Sequence, residues 1–357
     1  MGTSSSAAAP LLGLAGIDTG VTDAELVCPI KADDISIRWM NAYVPTADQT
    51  VKAYRPSTIA FLHRSLKAYS GMVVRGRGIP PFIHPMQMAG SGSGNGTIAG
   101  AGPSAHGSSA AALATCLSLA RVCDTTLAGF SRATAEATSA VLKREMDRLY
   151  AAAQQLAQPG TTVDHFTSLA AFQAYLLYTL VLFFQLERPG DPFLRQAIMA
   201  LQEIACISAR HGLVCVAEQN NEQPRWPAWV VAEAKRRTLY VVYLFDSVLS
   251  AHHGQASYIG TELRGLPAPS SKALWQAASQ PEWSKAYGVH LEDWGAAALP
   301  RAATLSAGLT IDELWAYPFP DDAAGLARRR DRVDRWLETV DEYGTMMYAV
   351  TSSTHGG

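Results

Sequence analysis

The stretch from Phe166 to Leu186 carries no charged side chain. A run of that length has two homes: a bilayer, which about 20 apolar residues can cross, or the central helix of an all-α core, apolar on every face. Thr167, Ser168, Gln173, Thr179 and Gln185 interrupt it, and no positive cluster flanks it. These amides and hydroxyls need partners that a protein interior supplies and lipid does not. The segment is therefore read as a buried helix, not as a membrane span.

The chain around it has the means to bury such a helix. Of 357 residues, 48% are apolar and 17% charged, which supports a large core and argues against disorder over most of the length. Helical spacing recurs. Arg55-Pro56-Ser57 opens a helix with Ile59, Leu62, Leu66 and Tyr69 on one face, proline being tolerated in a first turn. Leu142, Met146, Leu149, Ala153 and Leu156 keep the same period until Pro159-Gly160. Asp191 and Pro192 start another helix, which Arg210, His211 and Gly212 close. A longer helix runs from about Pro227 to Ser250, with Glu233 and Arg237 in the favourable order four apart. A short helix carries Trp275, and a last one is expected from Asp321 to Thr351. No alternating strand pattern stands out. The expectation is an all-α, multi-helix array.

Two stretches read otherwise. Residues 1–45 are mixed in character and expected to form a loose tail, with residues 46–357 as one domain. Residues 89–111 are mostly Gly, Ser and Ala, too poor in apolar surface to offset their ordering entropy, and are expected to form a flexible insertion. The proline-rich segment Ile79-Pro80-Pro81-Phe82-Ile83-His84-Pro85 cannot sit inside a helix and reads as an extended connector.

Charge and cysteines narrow the function. Net charge is -2, from 29 basic and 31 acidic residues, with no basic stripe of the kind a nucleic-acid surface shows. The densest basic run, Arg328-Arg329-Arg330, is followed by Asp331 and Asp334 and reads as a solvated helix face. Five cysteines without a CxxC pair suggest reduced, buried thiols and no zinc site. The N-terminus makes a poor signal peptide; it matches only the loose myristoylation pattern, without a second anchor. Phosphate-binding loops, H-E-x-x-H and G-x-S-x-G are all absent. Neither Asp33-Asp34 nor Asp321-Asp322 has the further aspartate that an all-α metal-dependent cyclase would need. No catalytic, cofactor or metal residue is assigned. Asp246, the only acid between Glu233 and Glu262, is expected to be buried and paired with Arg236, Arg237 or another arginine, because an unpaired buried carboxylate is costly. His252-His253 suits the C-terminal end of a helix.

Taken in order, Trp229-x-x-x-Glu233-x-x-Arg236-Arg237-Thr238, the apolar run to Phe245-Asp246, Leu266-Pro267-Ala268-Pro269 and Leu274-Trp275-x-Ala277 resemble one family. It is the fungal-specific regulatory domain of transcription factors with a zinc-binuclear, six-cysteine cluster. Pro80, Pro81, Phe82, His84 and Pro85 resemble a segment near the start of that domain, and Asp334-Arg335-Trp336-Leu337 with Asp341-Glu342-Tyr343-Gly344 fits its end. The resemblance covers about residues 54–352 and implies a regulatory role in transcription, in the nucleus and the cytoplasm. The partners it implies are other transcription factors or co-regulators, a second copy of the chain, or a small-molecule effector. The family's DNA-reading module is a six-cysteine zinc cluster, and this sequence has none; direct nucleic-acid binding and zinc are therefore not expected. A stand-alone co-regulator of the same fold, and an all-α enzyme or small-molecule-binding protein, are the alternatives. A pocket of converging polar groups with perturbed carboxylates would favour the last.

Overall fold

The computed structural model describes residues 20–38, 50–91, 106–124, 131–158, 160–186, 192–295, 308–315 and 323–353. The described residues are mostly helical. In chain order the helices are α1 (Asp33–Ser36), α2 (Pro56–Val74), α3 (His106–Arg121), α4 (Arg132–Leu156), α5 (His165–Phe184) and α6 (Pro192–Arg210). They continue with α7 (Val216–Gln219), α8 (Trp226–His252), α9 (Lys272–Trp275), α10 (Gln280–Trp294), α11 (Ala323–Leu337) and α12 (Glu342–Ser352). Two antiparallel ribbons complete the fold: β1 (Leu26–Val27) with β3 (Val214–Cys215), and β2 (Val51–Lys52) with β4 (Ser257–Tyr258).

The uncharged segment is α5. By length and composition it could cross a membrane, yet 89% of its most apolar window is buried inside the molecule. It packs against α2, α3, α4, α6 and α8. The Asp164 carboxylate caps it, accepting from the Phe166 and Thr167 amides at 3.1 and 3.4 Å. Three polar side chains of this segment find the partners that burial demands. Thr179 donates to the Tyr175 carbonyl at 2.9 Å, Gln185 donates to the Ser70 hydroxyl at 2.8 Å, and Gln173 joins the network described below.

Helix α2 starts at Pro56, as the Arg55-Pro56-Ser57 signal predicts, and Leu62 and Leu66 are fully buried. Leu142, Met146, Leu149 and Ala153 of α4 face the core. Cys116 and Cys123 are buried too, and all five cysteines are free thiols. Asp191 lies outside the described residues. Gly212, just past α6, has φ +90, and a Cβ there would lie 2.9 Å from the Val27 amide nitrogen. Only glycine lets α6 turn this tightly into β3 beside β1.

Three expectations give way. The loose tail of residues 1–45 does not describe 20–38: β1 pairs with β3, Ile35 is buried, and Arg38 is buried against α8. Burial of these side chains and the charge of Arg38 supply the ordering free energy that composition alone does not reveal. Helix α3 begins within the Gly/Ser/Ala segment, at His106, and Leu113 and Cys116 anchor it against α5; residues 92–105 lie outside the described residues. The expected last helix is two, because Asp341 caps α12 by accepting from the Gly344 amide at 2.9 Å.

Candidate functional site

Helix α8 is buried along nearly its whole length, including four of its charged residues, Glu233, Lys235, Arg236 and Arg237. Four charges at the centre of a helix are affordable only with near-complete pairing. Glu233 meets this by accepting five bonds, the longest from Arg236 Nε to Oε2 at 3.3 Å. Its Oε1 accepts from Arg237 Nε at 2.7 Å, the Ser270 amide at 2.9 Å and the Ser270 hydroxyl at 3.1 Å, and its Oε2 accepts from Arg236 Nη2 at 2.8 Å. Burial pushes this carboxyl up, but the two guanidinia and their hydrogen bonds outweigh it and hold it at about 2. Glu233 is a fixed anion.

Each arginine then reaches a different part of the chain. Arg236 donates to the Leu213 carbonyl at 2.8 Å and to Glu218 at 3.3 Å, tying α8 to the β3–α7 turn. Arg237 donates to Asp341 at 2.6 Å and to the carbonyls of Pro81 and Ser270, each at 3.3 Å. Its guanidinium lies 4.2 Å from the Trp275 ring centre and 5.1 Å from that of Tyr343. The Tyr343 hydroxyl donates back to the Arg237 carbonyl at 2.9 Å.

The proline-rich connector closes the same node. The Phe82 carbonyl accepts from Gln173 at 2.8 Å, and Gln173 reaches Thr238 at 3.4 Å. Thr238 also donates to the Ala234 carbonyl at 2.7 Å. Gln87 donates to Gln173 at 2.8 Å and accepts from the His84 amide at 3.0 Å. The His84 ring packs edge-on against Trp275, centroids 4.8 Å apart, and burial followed by the nearby Arg237 charge lowers its pKa to about 4. Pro80 is buried, whereas Pro85 is exposed and begins a short 3-10 helix. Pro267 and Pro269 act through their carbonyls: Tyr240 donates to the first at 2.6 Å and the Trp336 indole to the second at 2.8 Å. Trp229 packs on Trp283, both fully buried.

Asp246 has the arginine partner expected of it but is not fully buried. It lies outside this node, its side chain is 20% exposed, and its partner is Arg38 at 3.1 Å, not Arg236 or Arg237. Arg38 also donates to Glu262 at 2.8 Å and to the Tyr258 carbonyl at 2.7 Å, and it lies over the Tyr243 ring. The two clusters sit on different turns of α8, so the N-terminal segment and the rest of the chain grip α8 at separate levels.

Four participants carry little or no signal in the sequence. Asp341 has a local one, an acid placed three residues before Gly344 at a helix start. Glu218 and Arg38 have none, since their partners are remote in sequence. Lys235 is masked by the two arginines beside it. Its ammonium donates to the carbonyls of His211 at 3.0 Å and Gly212 at 3.2 Å, and burial brings its pKa down to about 7.

This arrangement fixes helix crossings and is poorly suited to chemistry. The cavity against Glu218, Arg236 and Ser270 measures about 40 Å³, room for only a few waters. Every carboxylate oxygen of Glu233 is already taken. Among the described residues no group of three or more His, Cys, Asp or Glu side chains could hold a metal ion.

The fold and node together define a mostly helical protein organised around one buried, charge-bearing helix. Comparison of the chain with protein-family models, with curated proteins and with solved structures gave no match.

Proposed function

We propose that this chain is a regulatory module of a fungal transcription factor, non-enzymatic, working in the nucleus and the cytoplasm through other transcription factors or co-regulators. The observation that carries this reading is convergence. The connector around Phe82, the Glu233-Arg236-Arg237-Thr238 run, the turn at Pro267 to Ser270, Trp275 and the Asp341–Tyr343 ending carry the resemblance and lie far apart in sequence. All of them meet at one node. Short motifs that matched by chance would have no reason to share a site. The closed pairing of Glu233 supports a structural role for these residues over a catalytic one.

These residues hold neither a six-cysteine cluster nor a basic excess, so by themselves they are expected to act at a promoter only when a partner or a joined DNA-binding module carries them there. Expressed unfused, the chain should leave a reporter gene unchanged unless a partner factor is also present. Strong promoter occupancy by the chain in cells without related factors would overturn the reading.

A further inference from the structure

From Gln49 to Cys123 the sequence holds seven lysines and arginines and neither aspartate nor glutamate, in a chain whose net charge is -2. No dense run marks this excess, but α2 gathers part of it on one face. Arg64, Lys67, Gly71 and Arg75 follow one another at spacings of three and four residues, so they share one side of the helix. Leu62, Leu66 and Val73 occupy the opposite, buried side. Arg64, Lys67 and Arg75 are exposed. The Arg75 guanidinium folds back along α2: a Cβ on Gly71 would lie 2.5 Å from its Nη2. It thereby fills the place of the missing side chain one turn beyond Lys67. Beside it stands Arg121 at the end of α3, whose Nε would lie 3.2 Å from a Cβ on Gly76.

The described residues supply no balancing acid: among them Arg64, Lys67, Arg75 and Arg121 form no ion pair. The neighbours add positive charge instead. His63, next to Arg64, has its pKa lowered first by burial and then by the charges of Lys67, His252 and Arg64, with His252 reaching in from the end of α8. Like charges one turn apart on a helix repel. The gathering therefore gains nothing for the fold, and an anion laid across the face removes the repulsion. Phe61, 43% exposed, lies one turn before Arg64 at the edge of the same face. It offers an apolar contact beside the cations.

We propose that the outer face of α2 docks a short acidic peptide segment of a partner protein, its carboxylates on Arg64, Lys67 and Arg75 and an apolar side chain on Phe61. Guanidinium groups bind carboxylates through charge-assisted, often paired hydrogen bonds, and arginine clusters recur as readers of acidic motifs. The length suits a peptide. Phe61 to Gly71 spans about 15 Å of helix, which about five residues of extended chain cover. A nucleic-acid duplex suits the face less well, because the cations stand on one helix of a chain that is acidic overall, and phosphates running past its ends meet no further basic stripe. A bilayer suits it less well too: Leu62, Leu66 and Val73 are committed to the core, which leaves little beyond Phe61 to insert. The proposal names a kind of partner that the regulatory reading calls for. Peptide binding is measured without a reporter gene, so each can fail while the other stands.

The test is fluorescence anisotropy of a labelled peptide of about nine residues, aspartates and glutamates flanking a central leucine, titrated with the full chain at low salt. The control peptide has every acid replaced by its amide. The expected result is saturable binding with Kd below about 0.3 mM, weakened at least about fivefold by raising the salt to about 0.3 M, and no binding of the amide peptide. Arg64→Glu combined with Lys67→Glu should weaken binding at least about tenfold, and Phe61→Ser about threefold. Arg328→Glu combined with Arg330→Glu makes the same change in net charge on exposed positions of α11, and should leave binding within about twofold. All these side chains are exposed, so circular dichroism and the thermal midpoint should match the parent. Absence of saturation up to about 1 mM, equal binding of the amide peptide, or equal loss in the α2 and α11 variants would each overturn the proposal. Tighter binding of a DNA duplex or of phosphatidylserine vesicles, abolished by the α2 reversal, would overturn it in favour of a nucleic acid or a membrane.

Discussion

Replacing Asp341 with alanine removes two contacts at once: the 2.6 Å ion pair with Arg237 and the cap on the Gly344 amide at the start of α12. Breaking a fully buried pair costs roughly 3–5 kcal/mol when it strands a charge. Arg237 is not stranded, because Glu233 and the Pro81 and Ser270 carbonyls remain, so the electrostatic share falls to about 2 kcal/mol. Loss of a helix N-cap adds about 1 kcal/mol. Asp341→Ala should therefore destabilise the protein by about 3 kcal/mol, lowering the thermal midpoint by about 6 °C at about 2 °C per kcal/mol for a chain of this size. Asparagine caps a helix about as well as aspartate, so Asp341→Asn should cost only the electrostatic share, about 2 kcal/mol. Urea denaturation at constant slope measures both. Amide exchange separates the mechanisms, with Gly344 faster in the alanine variant and close to the parent rate in the asparagine variant. A loss below about 1 kcal/mol for Asp341→Ala would refute the idea that Arg237 anchors α12 through this carboxylate.

Three further outcomes follow from the same geometry. Glu233 titrates at about 2 in the folded protein against 4.5 for a solvated glutamate, so its contribution, about 3 kcal/mol, is complete above pH 4.5 and is lost as pH falls toward 2. His84 and His165 are held at about 4 chiefly by burial, so the unfolded chain binds their protons first, and stability also falls from pH 6.5 to 4. Acid denaturation curves should show both windows, and Glu233→Gln should flatten the lower one. Lys235 is neutral above about pH 7 in the folded protein, whereas a solvated lysine in the unfolded chain stays charged up to 10.5; stability should therefore rise from about pH 7 to about pH 10.5, and Lys235→Met should abolish that slope in chemical denaturation. Arg38→Ala should cost about 3 kcal/mol, because it leaves Glu262 and Asp246 without their shared guanidinium, and should expose residues 20–38 to proteolysis. Asp246→Ala should cost less, about 1 kcal/mol, since its side chain is partly solvated and Arg38 keeps Glu262; equal losses would contradict this ordering.

The helical class and its two central helices are legible in the sequence because the signals are local. An uncharged run such as 166–186 and the proline starts at Pro56, Pro192 and Pro227 depend on neighbouring residues alone. Helix α3 is hidden because serine and alanine give little amphipathic contrast, and only Leu113, Cys116 and Ala120, buried against α5 and its neighbours, reveal its inner face. Helix α10 is obscured for a similar reason: its buried face consists of Trp283, Tyr287 and Trp294 amid charged residues. The node is half legible. The order Glu233-x-x-Arg236-Arg237 announces i,i+3 and i,i+4 pairing, but nothing local points from Arg236 to Glu218 or from Arg237 to Asp341, 104 residues away. Asp246 pairs with an arginine as expected, but with neither of the two on its own helix. Sequence distance favours Arg236 and Arg237, while packing brings in Arg38, 208 residues away.

Regulation of transcription by this fold, once another factor carries it to DNA, is tested most directly by fusing the full chain to an unrelated DNA-binding domain and measuring a reporter gene. The fusion should change reporter expression, or make an added activation domain responsive to an effector, relative to the DNA-binding domain alone. A fusion that accumulates in the nucleus, is folded by protease resistance and leaves the reporter unchanged in both formats would contradict the regulatory reading.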